Sequence, residues 1–517
     1  MKNTLKPHWL GTLVLITAIV IGTQIYPDYG ISYDEPSQRL IGQTTYDYAT
    51  GHYKDFDKFA EKDHGTGFEW ILMSLEKSLN ITEYRDIYLM RHLVTHLFFL
   101  LCMFSGYVLV YRLFKSKWLA TLAYIALVFQ PRLFAHSFFN PKDIPATSVF
   151  LLTLLAAAYA FQKKKTLPFL ILGLLIGYGA CIRLTNLVIL IPIALFFLID
   201  LISTIRSKTE TKHIFLNGSV LFASLCVSMY VTWPTLWGDP INNFIDMYRS
   251  NANFRWVDQM KFDGKLVLST ELPWYYIPKW FAISTPELWL LTGGVGILIF
   301  IIRFVKSPNK YLGNALERNI LLSLICFVLP VVVIISLKSV LYDGWRHMYF
   351  IYPPFIILSM YGLNELLKRR FRLVVVGLCV LQLALIAGFM IKYHPFQQVY
   401  FNTYVSHDED YLMEHYELDY WASCHYNALI WAAENIDEHP ILINRNNASL
   451  IENMKFVPQK VRSRFTESRD LNEIKYYIQF YRTYPYTFPD NPEMPGGQII
   501  HEKRVLGSPI YRIVKLR

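Results

Sequence analysis

Eleven apolar runs spread over the first 391 residues constrain this chain more than any other feature. They are Trp9–Tyr26, Leu93–Tyr111, Trp118–Ala135, Ile144–Gln162, Leu167–Ile182, Leu187–Ser203, Ile214–Trp233, Glu287–Phe304, Asn319–Leu337, Met348–Leu366 and Phe371–Ile391. Each approaches or exceeds the ~18–20 residues that a helix needs to cross a bilayer. The third is interrupted by Pro131 and Arg132, and the fifth is short. The expected fold class is therefore mainly α, a polytopic membrane protein of about eleven transmembrane helices. A composition of 53% hydrophobic and 16% aromatic residues, with mean hydropathy +0.26, agrees. A net charge of +10 would point to nucleic acid in a soluble chain, but here the cations sit in short loops between apolar runs. Membrane orientation explains them, and nucleic acid drops out as a partner.

The loop charges test the count. Arg112, Lys115 and Lys117 follow the second run, Lys163 to Lys165 the fourth, and Arg206, Lys208 and Lys212 the sixth. Arg303, Lys306 and Lys310 follow the eighth, and Lys368 to Arg370 the tenth. Even-numbered exits are basic and odd-numbered exits hold few cations, which puts the N-terminus inside and the C-terminus outside. Lys2 and Lys6 precede the first run without a small-residue cleavage site, so it reads as an uncleaved span. Five of the six cysteines lie in apolar runs, with no disulfide framework and no zinc-ligand spacing.

Residues 1–391 then form a membrane domain with two long outer loops, 27–86 and 234–286, and residues 392–517 form a small extracytoplasmic α/β domain. In the first loop Phe68, Ile71, Leu72, Leu75 and Leu79 recur at helical spacing with charges opposite, as in a helix on the membrane surface. The second is rich in Trp and Tyr (Trp237, Trp256, Trp274, Tyr275, Tyr276, Trp280), as an interfacial segment is. The last region mixes a helix, Tyr420 to Asn435, with strand-like runs at Pro440–Asn444, Gln498–Val505 and Pro509–Val514.

Several charged clusters reach the outer face. Gly30 to Gln38 reads G-I-S-Y-D-E-P-S-Q, with Asp34 and Glu35 adjacent and Pro36 suited to a first helical turn. Either acid could act as general base or hold a cation; the plain alternative is a pair that caps a helix. His136 to Pro145 (H-S-F-F-N-P-K-D-I-P) carries Lys142 and Asp143, Arg183 lies between the fifth and sixth runs, and Leu341 to His347 (L-Y-D-G-W-R-H) carries Asp343, Arg346 and His347. The first loop adds His64. Lysine and arginine suit a phosphate, and a carboxylate suits removal of a proton from an attacking hydroxyl. His64 and His347 lack any metal-binding spacing and read as hydrogen-bonding residues.

The set Y-D-E-P-S-Q, H-S-F-F-N-P-K-D-I-P, L-P-W-Y-Y-I-P-K-W-F-A-I-S-T-P-E, L-Y-D-G-W-R-H-M-Y-F-I-Y-P-P, H-P-F-Q-Q-V-Y-F-N and Y-E-L-D-Y-W resembles bacterial phospholipid-carrier-dependent glycosyltransferases. These belong to the GT-C group with protein O-mannosyltransferases and the aminoarabinose transferase. The resemblance runs from the first span to about Ala433. It implies that an acid in the first outer loop, here Asp34 with Glu35 beside it, activates the acceptor for in-line attack on the anomeric carbon, and that a polyprenyl phosphate leaves. Asp143 matches a second acidic position. Relatives carry a His-Pro-Pro segment where this chain has His64-Gly65-Thr66, without the prolines. Catalytic candidates are therefore Asp34 and Glu35, and substrate-binding candidates are Lys142, Asp143, Arg183, Asp343, Arg346, His347 and His64. No metal ligand is assigned; relatives differ in metal use, which leaves a divalent cation open as cofactor. The implied partners are a polyprenyl-phosphate sugar, a lipid, glycan or protein acceptor, and the lipids of a bacterial cytoplasmic membrane. The rival classes are a transporter or flippase of lipid-linked sugars, against which no internal repeat and no charges at span centres stand, and an inactive scaffold.

Overall fold

The computed structural model describes residues 8–252, 257–314, 316–444, 447–470, 472–482 and 497–516. Its first half runs through α1 (Trp9–Ile25), α2 (Glu35–Ala49), α3 (Gly67–Ser78), α4 (Tyr84–Phe114), α5 (Lys117–Val128), α6 (Pro131–Phe139), α7 (Asp143–Lys163), α8 (Thr166–Ile182), α9 (Leu190–Arg206) and α10 (Lys212–Thr232). There follow α11 (Pro240–Ala252), β1 (Gln259–Phe262), β2 (Lys265–Leu268), α12 (Tyr276–Ser284), α13 (Glu287–Lys306), α14 (Pro308–Gly313), α15 (Arg318–Leu337), α16 (Tyr352–Leu366) and α17 (Arg372–Lys392).

Every expected apolar run is helical. Among the described residues, eight helices are long and apolar enough by themselves to cross a membrane. The third run is a pair, α5 and α6, bent by 57°. Its cause is local: Pro131 starts α6 where its missing N–H costs nothing, and the Gln130 side chain accepts from Leu133 N at 2.6 Å. The fifth run is the 17-residue α8, and the tenth is the 15-residue α16 behind a 3-10 turn at Arg346–Ile351. A count of eleven thus rests on these three irregular pieces.

The outer loops are more closely packed than their composition suggests. On α3, Phe68 and Leu72 are buried against Ala146, Val149 and Ile182 of the helix bundle. The acids expected on its outer side are buried too: Glu69 pairs with Arg91 of α4 at 2.7 Å, and Glu76 with Arg39 of α2 at 2.6 Å. Trp280, expected at the interface, is fully buried with the Arg132 guanidinium 5.2 Å from its ring centre. Trp256 lies outside the described residues.

Beyond α17 come α18 (Tyr411–His415), α19 (Cys424–Asn435), β3 (Ile441–Asn444), α20 (Ala448–Phe456), β4 (Phe465–Ser468), β5 (Tyr476–Phe480), β6 (Gln498–Val505) and β7 (Ser508–Lys515). Strands β3 and β4 pair in parallel, and β7 lies between β5 and β6 in an antiparallel sheet. The apolar core runs unbroken from the helix bundle into this region. Asn453 of α20 clasps the first loop, accepting from Ile31 N at 2.9 Å and donating to Ile31 O at 3.0 Å. Helix α20 is thereby seated directly on the stretch that carries Asp34.

Candidate active site

The two adjacent acids point in opposite directions. Glu35, the first residue of α2, is buried, accepts from Ser32 N at 2.8 Å and meets His92 of α4 at 3.0 Å. Asp34 makes no capping hydrogen bond to α2; its half-exposed carboxylate pairs with Arg346 at 3.0 Å instead. The helix-cap reading therefore fails for Asp34. The Glu35 carboxylate is buried within the turn, between Ser32 and His92.

Arg346 is the hub. Beyond Asp34 it meets Asp343 at 3.0 Å and Asp143 at 3.6 Å, and its guanidinium lies against the rings of Trp421 and Tyr342, 4.5 and 4.7 Å from their centres. Asp343 and Gly344 make this possible. Both have left-handed backbone, φ +57° and +69°, a turn that an aspartate tolerates and a glycine favours. The turn brings Asp343 back onto Arg346. Burial disfavours the arginine's charge, but Asp34 and Asp343 outweigh it and hold its pKa well above the usual range. Arg346, one of the cations expected to suit a phosphate, is thus paired with carboxylates in this structure.

Asp143 is held from several directions. Arg183, at the end of α8, meets it at 2.5 Å, and Asn140 donates to it at 3.0 Å while accepting its backbone N–H at 2.8 Å. Next to it lies a cavity of about 190 Å³ lined by His64, Lys142, Arg183, Trp233, Tyr342 and His347 among others. Gly65 lets the first loop close this cavity, because a Cβ there would sit 2.4 Å from Ile182 O. Lys142 has no ion-pair partner among the described residues; burial first, then Arg183, lowers its pKa to about 8. His347 is held neutral by burial, then by Arg183 and Arg346, and its Nε2 is buried without a hydrogen-bond partner among the described residues. His64 is pushed down to about 3, first by Lys142 and then by burial. The cavity lining thus brings together Lys142, a cation without an ion-pair partner among the described residues, the acid Asp63 and two neutral imidazoles, of which His64 meets Glu61 at 2.9 Å.

All the sequence candidates except Glu35 gather here. Sequence reasoning missed Trp421, although its motif was legible, as well as Tyr342 and Asn140. It also missed Arg482, which pairs with Asp343 at 2.9 Å and which no motif marks. Among the described residues, no group of three or more His, Cys, Asp or Glu side chains is arranged to hold a metal ion.

A bundle of membrane helices whose ends converge on one charged pocket, closed by a partly stranded C-terminal region, is a GT-C-type membrane fold. The overlay that carries this is the apo oligosaccharyltransferase of Archaeoglobus fulgidus, with a TM-score of 0.51 at 12% identity over 93% of this chain and 70% of that one. Residues 86–233, from α4 to the end of α10, match the family described as dolichyl-phosphate-mannose-protein mannosyltransferase. Two further overlays score lower. AglB of Archaeoglobus fulgidus, in complex with an inhibitory peptide and a dolichol-phosphate, gives 0.47 at 13% identity over 83% of this chain and 59% of that one. ArnT of Cupriavidus metallidurans, bound to undecaprenyl phosphate, gives 0.46 at 12% identity over 98% and 97%. No curated protein matches the chain significantly.

Proposed function

We propose that the protein is a glycosyltransferase that moves a sugar from a polyprenyl-phosphate donor to an acceptor hydroxyl or phosphate at the outer face of a bacterial cytoplasmic membrane. The observation that carries this reading is the pairing of an unneutralised cation in a cavity, Lys142, with an accessible carboxylate, Asp34, fixed nearby by Arg346. The donor phosphate would enter the cavity on Lys142 and Arg183, with the neutral imidazoles of His64 and His347 as hydrogen-bonding partners. For a hydroxyl acceptor, Asp34 takes the proton as the oxygen attacks the anomeric carbon. The bond from that carbon to the phosphate oxygen breaks, and polyprenyl phosphate leaves with a second negative charge. Lys142 faces that charge, which makes its attraction stronger in the transition state than in the ground state. Arg346 holds Asp34 in place and Asp143 orients Arg183.

The test is transfer from a panel of polyprenyl-phosphate sugars by the purified protein in lipid, followed by mass spectrometry of the acceptors. Asp34→Asn keeps the shape but cannot accept a proton. Turnover should fall by roughly 10²–10⁴ with donor affinity little changed. Full activity of a folded Asp34→Asn protein would remove the base role.

A further inference from the structure

We propose that Arg482, supplied by the C-terminal region, is a positioning residue for the base: it shares Asp343 with Arg346, which keeps Arg346 on Asp34. This rests on the reading of Asp34 as base and adds to it a residue outside the matched stretch 86–233. Arg346 alone faces three carboxylates, Asp34, Asp343 and Asp143. Two outer arginines relieve it: Arg183 takes Asp143, and Arg482 takes Asp343 at 2.9 Å through the oxygen that Arg346 does not use. Arg183, Asp143, Arg346, Asp343 and Arg482 thus alternate in sign from one side of the site to the other, with Asp34 branching from Arg346.

Arg482 is placed by the sheet. It follows β5, whose Phe480 pairs with Tyr511 of β7 and stacks edge-on against His425 of α19, with ring centres 4.8 Å apart. The preceding Tyr481 is buried. The guanidinium lies 5.9 Å from the ring centre of Tyr33, the neighbour of Asp34. The titratable and charged groups around it are Asp343, Glu417, Arg346 and Asp34, and those around Arg346 include Asp34, Asp343, Asp143, Lys142 and Arg482 itself. Lys142 also acts on Asp34.

Removing Arg482 leaves Asp343 to Arg346 alone. Arg346 is then drawn towards Asp343 and away from Asp34, and the site around Asp34 carries one more net negative charge. In Arg482→Gln the acid limb of the pH–kcat/KM profile should move up by about 0.5–1 unit, as expected for a charge one residue removed, with donor KM little changed. Arg482→Lys should restore most of the shift. Asp343→Asn should move the limb the opposite way, and the Arg482→Gln/Asp343→Asn double variant, whose charges balance, should return it towards wild type. The Asp343→Asn arm gives a reading even where Arg482→Gln does not fold. An acid limb that stays fixed in Arg482→Gln or in Asp343→Asn, while Asp34→Asn is inactive, would reduce Arg482 to a staple between regions and overturn this inference alone. Full activity of Asp34→Asn would overturn it together with the base assignment.

Discussion

Lys142 stands at the head of α7 with no carboxylate in ion-pair reach among the described residues, and burial followed by Arg183 holds its pKa down to about 8. The sign of its pH dependence follows. Below pH 8 the ammonium is charged and attracts the donor phosphate; above it, binding must also take up a proton. Donor affinity should therefore fall as pH rises past about 8, by up to tenfold per unit, and Lys142→Arg should flatten the dependence. Titration of donor binding between pH 7 and 10 checks this; a flat wild-type profile would exclude Lys142 from the phosphate site. Stability moves the other way. A lysine whose folded pKa is depressed makes the protein more stable as pH rises from about 8 to its ordinary value. Lys142, Arg183 and Asp143 were legible as site residues because charges at helix mouths need partners or ligands. The divergence of Asp34 and Glu35 was not, since two neighbouring carboxylates are chemically alike until the turn aims them.

At the scale of elements, α3 shows what periodicity reveals and conceals. Its apolar stripe predicted the helix, as an i, i+3, i+4 pattern does. The face expected to lie on the membrane surface packs instead through Phe68 and Leu72 against the helix bundle, with Leu79 left exposed. The opposite face was expected to be solvated, yet Glu69 and Glu76 are buried in ion pairs with Arg91 and Arg39. A hydrophobic stripe says nothing of which polar residues meet a charge on another helix. The Glu69–Arg91 pair ties the loop carrying Asp34 to α4, because α2 and α3 pack side by side and the nearest atom a Cβ at Gly42 would meet is Glu69 Oε2 at 2.8 Å. Glu69→Gln leaves Arg91 as an uncompensated buried charge, which typically costs about 3–5 kcal/mol. The expected outcome is a large drop in thermal stability; the double variant Glu69→Leu/Arg91→Met should recover much of it. A Glu69→Gln protein as stable as wild type would mean that water reaches Arg91.

For the whole molecule, ion pairs across distant parts of the chain bear on its path through the membrane. Asp143 and Arg183 are joined by salt bridge but separated by α7 and α8, so if α7 crosses, the short α8 must cross back. Asp343 and Arg482 are separated by α16 and α17, so the 15-residue α16 must cross as well. Asp34 and Asp143 share Arg346 across α4 and the bent α5–α6 pair, which must count as one crossing. With all three irregular pieces spanning beside the eight long helices, there would be eleven crossings, the number expected from hydropathy and loop charge. Hydropathy reads spans well because lipid leaves a backbone few choices. It could not read the C-terminal region, whose short strands and buried Arg482 depend on contacts made far along the chain. The consequence is testable. A reporter fused after Arg517 should be active only outside the cytoplasm, and a tag at Lys164, in the basic turn between α7 and α8, should be protected outside and labelled inside. A substituted cysteine at Tyr33, which is exposed beside Asp34, should label from the same side as the C-terminal reporter. Labelling of Tyr33 and Lys164 from one side would mean that the charged pairs join segments on opposite faces, which no membrane permits, and would overturn both the span count and the site built on it.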